Sequence, residues 1–217
     1  MQNKLFFAAI AATGIALSVA STSVNAKQLN FVVDDEKKRD SISFTSDAPI
    51  ELIVGKTSAV KGKISVDESM DLSKPFTATF EVDLASIDTG IPLRNEHMRD
   101  NFLETKKFPK ATFTVKSQPG VTGVLKDKQK VTIKATGDFA LHGVTVKKTV
   151  PVDLTFYKNC ETTKSKFEDC DLIQIKSTFN VPFKDHQIKR PEVVFQKLAD
   201  TVIVTISATA KRDVTKP

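Results

Sequence analysis

The sequence predicts an all-β protein built from antiparallel strands. Three observations carry that expectation. Apolar and polar residues alternate with period two in five separate segments, uninterrupted helical runs of ten or more residues are nearly absent, and a composition of 40% hydrophobic and 27% charged residues over 217 positions fits one soluble domain after processing. Alternation of this kind means a strand with one face buried and one wet, which antiparallel sheets tolerate. With no layer of helices to cover the apolar faces, the sheet must cover itself, either as two packed sheets or as one sheet closed into a barrel.

The first 26 residues stand apart from the rest. Lys4 precedes an apolar run over residues 5–20, broken only by Thr13, Gly14 and Ser18, and Val24-Asn25-Ala26 supplies the residues that signal peptidase accepts. The run is shorter than the ~18 to 20 apolar residues that span a bilayer. The expectation is therefore a signal peptide over residues 1–26, cleaved after Ala26, and a mature domain over 27–217 in the periplasm or outside the cell. No cysteine lies at the cleavage site, so a lipoprotein is not supported.

The strands follow in order. Short ones are expected at residues 31–33, 41–45, 51–56 and 60–66. Phe76, Ala78, Phe80, Val82 and Leu84 then alternate with Thr77, Thr79, Glu81 and Asp83, and another short strand is expected over 111–116. Val131, Ile133, Ala135, Gly137, Phe139 and Leu141 form the next set. Three more follow: Val150, Val152, Leu154 and Phe156; Ile173, Ile175, Ser177, Phe179, Val181 and Phe183; and Val202, Val204, Ile206 and Ala208. The total is eight strands or slightly more, a barrel size that can hold one small ligand.

Residues 88–113 form a connection too long to be a plain loop. Leu93, His97 and Asn101 recur at spacing four, as do Met98 and Phe102, and no Gly or Pro falls between Leu93 and Phe108, so a short helix ending before Pro109 is expected. Arg94, Arg99, Lys106 and Lys107 set a cationic stripe beside the apolar one.

Cys160 and Cys170 bracket a polar stretch and, in an oxidising compartment, read as a disulfide stapling a hairpin. Neither has a second cysteine or a histidine at ligand spacing, so no metal site is expected. The three histidines read as surface or turn structure: His142 in a turn before Gly143, His97 on the short helix, and His186 in a polar, proline-bounded loop. There is no G-x-S-x-G elbow, no phosphate-binding glycine loop, no H-E-x-x-H and no paired-carboxylate motif, which argues against an enzyme. The net charge of +6 is scattered among acidic residues, which argues against a nucleic-acid partner but is compatible with transient contact at a membrane surface.

Phe44, Phe80, Phe113, Phe139, Phe156, Phe179 and Phe183 fall on inward positions of the alternation. Such rings suit an acyl or prenyl chain, which offers no hydrogen bonds, and they equally suit a core filled by the rings themselves. Three classes stay open on the residues: a lipid-binding barrel, an exported structural or stress-related interaction protein with a filled core, and a hydrolase without a known signature.

The stretch D-T-G at 88–90, R-N-E-H-M-R-D-N-F-L at 94–103 and K-F-P-K-A-T-F at 107–113, with L-H-G-V-T at 141–145, resembles the signature of the YceI-like family. The resemblance covers nearly all of the chain after residue 26. It departs from the family pattern at Ile91, at Arg94-Asn95 and at Phe102-Leu103. It implies a lipocalin-like up-and-down barrel of about eight strands, capped at one end by the segment 94–108. It also implies a polyisoprenoid or isoprenoid quinone precursor in the lumen for storage, transport or sequestration, with no other cofactor. On this view Met98, Phe102 and Phe108 close over the tail beside Phe80, Phe113, Phe139, Phe156 and Phe179, Arg94 or Arg99 meets the head, and His97 belongs to the same ligand site. The rival reading ties Arg94 to Asp88 or Asp100 in an ion pair. Monomer and homodimer are both compatible with the sequence.

Overall fold

A computed structural model describes residues 27–158, 171–190 and 196–213. The signal-peptide segment and both cysteines lie outside the described residues.

Ten strands form one antiparallel sheet: β1 (Gln28–Val33), β2 (Ser41–Asp47), β3 (Leu52–Thr57), β4 (Val60–Asp67), β5 (Thr77–Asp83), β6 (Lys110–Lys116), β7 (Lys130–Leu141), β8 (Val144–Tyr157), β9 (Leu172–Pro182) and β10 (Thr201–Arg212). The strands from β4 to β10 pair with their neighbours in chain order, and β1 pairs with both β4 and β10, so eight strands close into a barrel. The alternation read from the sequence thus corresponds to a closed sheet, and the barrel expected from the resemblance is the observed fold.

The remaining two strands form a hairpin set into the wall. Along one edge, β10 pairs first with β2, from Ile203 to Ser207, and then with β1, at Lys211 and Arg212. Between the two partners the Thr209 amide has no strand opposite it, and it donates instead to the Asp40 carboxylate at 2.9 Å. Burial pushes the Asp40 carboxyl above its ordinary range.

The two ends of the barrel are closed differently. At the lower end, the connections 68–76 and 117–129 fold inward and bury Met70, Leu72, Phe76, Val121 and Leu125 against Phe31 and Phe156. They also pair with each other, Leu72 N to Gly123 O and Leu125 N to Met70 O. At the upper end, the connection between β5 and β6 carries the helix α1 (Pro92–His97), continued by one π-helical turn, Met98–Phe102, in which the Leu103 amide reaches back to Met98 O. The helical segment ends well before the expected stop at Pro109. Glu104 adopts a left-handed conformation with φ of 45°, which breaks the helix, and its carbonyl accepts from both Lys107 and Phe108 in a following turn.

β7 and β8 are joined by a two-residue turn whose central residues, His142 and Gly143, both have positive φ, 52° and 76°. Such turns match the twist of a hairpin. Phe108 packs against Gly143 so closely that an added Cβ would lie 2.5 Å from the ring.

Candidate ligand-binding site

Inside the barrel, above the lower plug, is a cavity of about 560 Å³, within the range of small-molecule sites. Its wall is almost wholly apolar: Phe44, Phe80, Phe113, Phe139, Phe179 and Phe183 line it together with Val, Ile, Leu and Ala from every part of the sheet. Two of these rings lie over glycines on the paired strand. A Cβ on Gly55 would sit 2.2 Å from Phe44 Cε1, and one on Gly62 would sit 2.5 Å from Phe80 Cδ1. The missing side chains let both rings lie back against the wall and leave the lumen open. Phe113, Phe139 and Phe179 form an edge-to-face chain with centroids 6.4 Å and 6.1 Å apart.

Some of the few polar groups near the wall are paired within the protein. Ser177 Oγ donates to Pro151 O at 2.6 Å, and Thr57 and Ser86 bond to each other through their hydroxyls at 2.6 Å. A ligand in this lumen would meet carbon.

Of the residues assigned to the tail, Phe156 does not line the cavity. It packs edge-on against Phe31 at 6.4 Å and is part of the plug beneath. Phe108 is also absent from the wall. It lies beyond the helix, 4.9 Å from the His142 ring and under Lys107 Nζ. Phe156 differs from the expectation because alternation assigns a side but not a depth along the barrel, and Phe108 because the helix breaks at the left-handed Glu104 and the chain turns before reaching it. Met98 and Phe102 do line the cavity, and Phe76, which ends the loop before β5, joins them.

At the rim, Arg94 and His97 line the mouth and Arg99 does not. The Arg94 guanidinium is engaged on three sides. Nη1 donates to Glu51 Oε1 at 2.5 Å, Nε to Thr89 Oγ1 at 2.9 Å, and Nη2 to the Thr89 carbonyl at 3.1 Å. Its acidic partner is Glu51, at the tip of the β2–β3 hairpin, in place of the Asp88 or Asp100 expected from the sequence; Asp100 pairs with Lys106.

Asn95 completes the arrangement. Its Oδ1 accepts from the Thr89 amide and hydroxyl, and its Nδ2 donates to Asp88 Oδ1 at 2.7 Å. Asp88 in turn exchanges both backbone hydrogen bonds with Lys56 in β3, and its carboxyl is held below the usual range by the Gly90 amide and Asn95. The D-T-G…R-N stretch is therefore a polar clasp that fastens the cap to the hairpin.

The other side of the cap is fastened by histidines. His142 Nε2 lies 2.7 Å from Glu104 Oε2, and Nδ1 lies 3.0 Å from the His186 carbonyl. His186 lies in a turn, as one of the two expected settings has it, namely the 3₁₀ turn Phe183–His186, but its side chain is completely buried against Phe139. Its Nδ1 donates to Val144 O at 3.2 Å, while Nε2 has no partner among the described residues. Burial pushes its pKa down.

Sequence reasoning missed Glu51, Thr89, Lys197 and Leu198 at the mouth. The 197–198 segment is held there by Ala199 N donating to the buried Ser46 hydroxyl at 2.9 Å and by Arg190, which donates to Leu198 O at 2.6 Å. No periodicity marks such residues, because their partners are distant in the chain. Among the described residues, no three His, Cys, Asp or Glu side chains converge as metal ligands.

Comparison with known proteins decides the family, since the model of the YceI-like domain matches residues 31–210. The chain belongs to the YceI-like family. A UPF0312 protein of Shewanella baltica is 32% identical over 149 residues, 67% of this chain and 69% of that protein. Among solved structures, a polyisoprenoid-binding domain from Saccharophagus degradans superimposes with a TM-score of 0.63 at 18% identity, covering 85% of this chain and 99% of that one. Burkholderia cenocepacia BcnA gives 0.61 at 17% identity, covering 82% and 99%. At these identities the structural matches speak for a shared YceI-like barrel. The clasp and the lumen wall described above belong to this chain's own residues.

Proposed function

We propose that this YceI-like protein is an exported binder, not an enzyme, that holds a long apolar lipid in its barrel for storage, transport or sequestration. The observation that carries the reading is the apolar cavity of about 560 Å³ beneath the cap. A filled core would leave no such space, and a polar ligand would find few hydrogen-bonding groups in it. A polyisoprenoid or isoprenoid quinone precursor fits this chemistry, as does the ligand class of the Saccharophagus degradans domain.

The head group is the finer part of the proposal. Arg94 at the mouth is already neutralised by Glu51, 2.5 Å away. A pyrophosphate would have to displace that carboxylate, whereas a hydroxyl or quinone oxygen can sit beside His97 and Lys197 without breaking the clasp. We therefore favour an uncharged head.

Two measurements test the reading. An organic extract of protein purified without detergent should contain a stoichiometric prenyl or acyl lipid by mass spectrometry. In a series of straight-chain alcohols, affinity should rise by up to about fourfold per added methylene, corresponding to about 0.8 kcal/mol of burial, and level off when the lumen is full. Affinity independent of tail length would end the proposal.

A further inference from the structure

Among the described residues, the large aliphatic side chains that stay exposed are unevenly placed. They are Ile50 (62%), Leu52 (63%), Val54 (49%), Ile91 (47%), Leu93 (60%), Val124 (42%) and Ile203 (42%). Single exposed aliphatics are ordinary, but a contiguous patch marks an interaction surface.

All but Val124 lie at the upper end. The alternation of β3 turns Ile53 and Gly55 inward and leaves Leu52 and Val54 outside, with Ile50 just before them. The pairings Val54–Thr45 and Thr45–Ile203 carry the row across β2 to β10. Ile91 and Leu93 begin the cap, and the Arg94–Glu51 pair brings that segment against the hairpin tip between Ile50 and Leu52. Val124 sits at the opposite end, bridged to Asp71.

Two features say what covers this patch. It is continuous with the lumen, since Ile91 and Leu93 are exposed and also line the cavity. Ammonium groups flank it: Lys56 projects from the outer face of β3 and Lys197 stands at the mouth, against Asp47 opposite Leu52 on the same face, on a chain whose net charge of +6 falls to +5 once Lys4 is removed. An apolar collar with basic neighbours matches a bilayer surface that carries anionic head groups. Pairing of β3 with a second copy is less favoured, because Asp88 already occupies the edge of β3 at Lys56.

We infer that the mouth docks on an anionic bilayer through Ile50, Leu52, Val54 and Leu93, so that a lipid passes between membrane and lumen without its tail crossing water. The inference rests on the lipid-binding reading above. Ile50, Leu52 and Val54 lie outside the cavity wall, so docking and lumen binding can be separated by substitution.

The test is flotation with vesicles of phosphatidylcholine, with and without about one third phosphatidylglycerol, alongside farnesol binding in vesicle-free solution. The wild type should float with the anionic vesicles. The triple variant Ile50→Thr, Leu52→Thr, Val54→Thr places β-branched side chains, which suit a strand, at all three positions. It should bind farnesol normally but lose at least about tenfold in vesicle affinity, as three partly buried aliphatics imply. Val124→Thr should behave as wild type in both. Equal flotation of wild type and triple variant, or no flotation of either, would overturn the docking inference. A wild-type dimer that becomes monomeric in the triple variant and ignores vesicles would overturn it in favour of a second copy. Loss of farnesol binding in the wild type would overturn the lumen reading instead, whatever the vesicles show.

Discussion

The two ends of the barrel are closed by opposite kinds of interaction. The lower plug is apolar and buried: Met70, Leu72, Phe76, Val121 and Leu125 are each 3–7% exposed, and Phe31 beneath them is completely buried. The cap helix at the mouth buries no residue at all. It is held by the Arg94–Glu51–Thr89 contacts, by Asn95 on Asp88, and by Glu104 on His142. Packing in a dense core is lost all at once and at high cost, whereas hydrogen bonds at a half-exposed rim exchange with water at little net cost. On the lipid-binding proposal, the lower end is structural, and the mouth is the door.

The largest expected effect lies at the lower end. Phe31→Ala should cost about 3–5 kcal/mol, because it leaves a cavity beside Phe156 in a fully buried position. The measurement is chemical denaturation, with farnesol affinity extrapolated to the native state. Stability should fall far more than affinity, and a proportionate fall in both would erase the distinction between plug and lumen.

Next comes the disulfide that we propose between Cys160 and Cys170, which fall between β8 and β9 in the sequence. Protein from an oxidising compartment should show no thiol reactive toward a maleimide before reduction. Cys160→Ser with Cys170→Ser should cost about 2–3 kcal/mol and spare ligand binding. Two reactive thiols in the native protein would remove the bridge from the account.

Acid should loosen the two ends in different windows. His186, near the mouth, is buried with its pKa below the ordinary 6.5, so the unfolded chain takes up its proton first. Its contribution to stability is present above pH 6.5 and is lost as pH falls through the folded value. At the lower end, Ser69 and then Lys74 hold the Asp67 carboxyl at about 2 against an ordinary 3.8. That contribution is present above 3.8 and disappears only as pH falls toward 2. Hydrogen exchange, corrected for the intrinsic rate, should therefore rise first around residues 183–188 and later around 67–74. The reverse order would contradict the division between the two ends.

The smallest effect on stability belongs to the clasp. Arg94→Ala removes a half-exposed ion pair worth at most about 1 kcal/mol, a shift of a few degrees in Tm. Ligand exchange should nonetheless quicken, and prenyl alcohols and prenyl pyrophosphates should be affected alike. A selective loss of the pyrophosphate would show that Arg94 holds a charged head despite Glu51.

Much of this was legible in the chain. Period-two alternation located the strands, because a side chain's face depends only on its place in an extended backbone. The His142-Gly143 turn could be read for the same local reason, since left-handed positions select a small set of residues. The clasp was visible only as a stretch resembling a family signature. What each of its residues does was not, because Arg94 meets Glu51 across 43 positions of sequence. Likewise, nothing local distinguishes Phe156 in the plug from Phe179 on the lumen wall, since both are inward-facing rings on adjacent strands. Depth along the barrel depends on register and closure, which are long-range. The same holds for the burial of His186, whose polar neighbours suggest a surface or turn position until β7 and β8 fold over it. By itself, then, the sequence determined that this protein makes strands with one apolar face. Only the closed sheet decided that those faces enclose a space, because a void belongs to no residue and arises where side chains from every strand stop short of meeting.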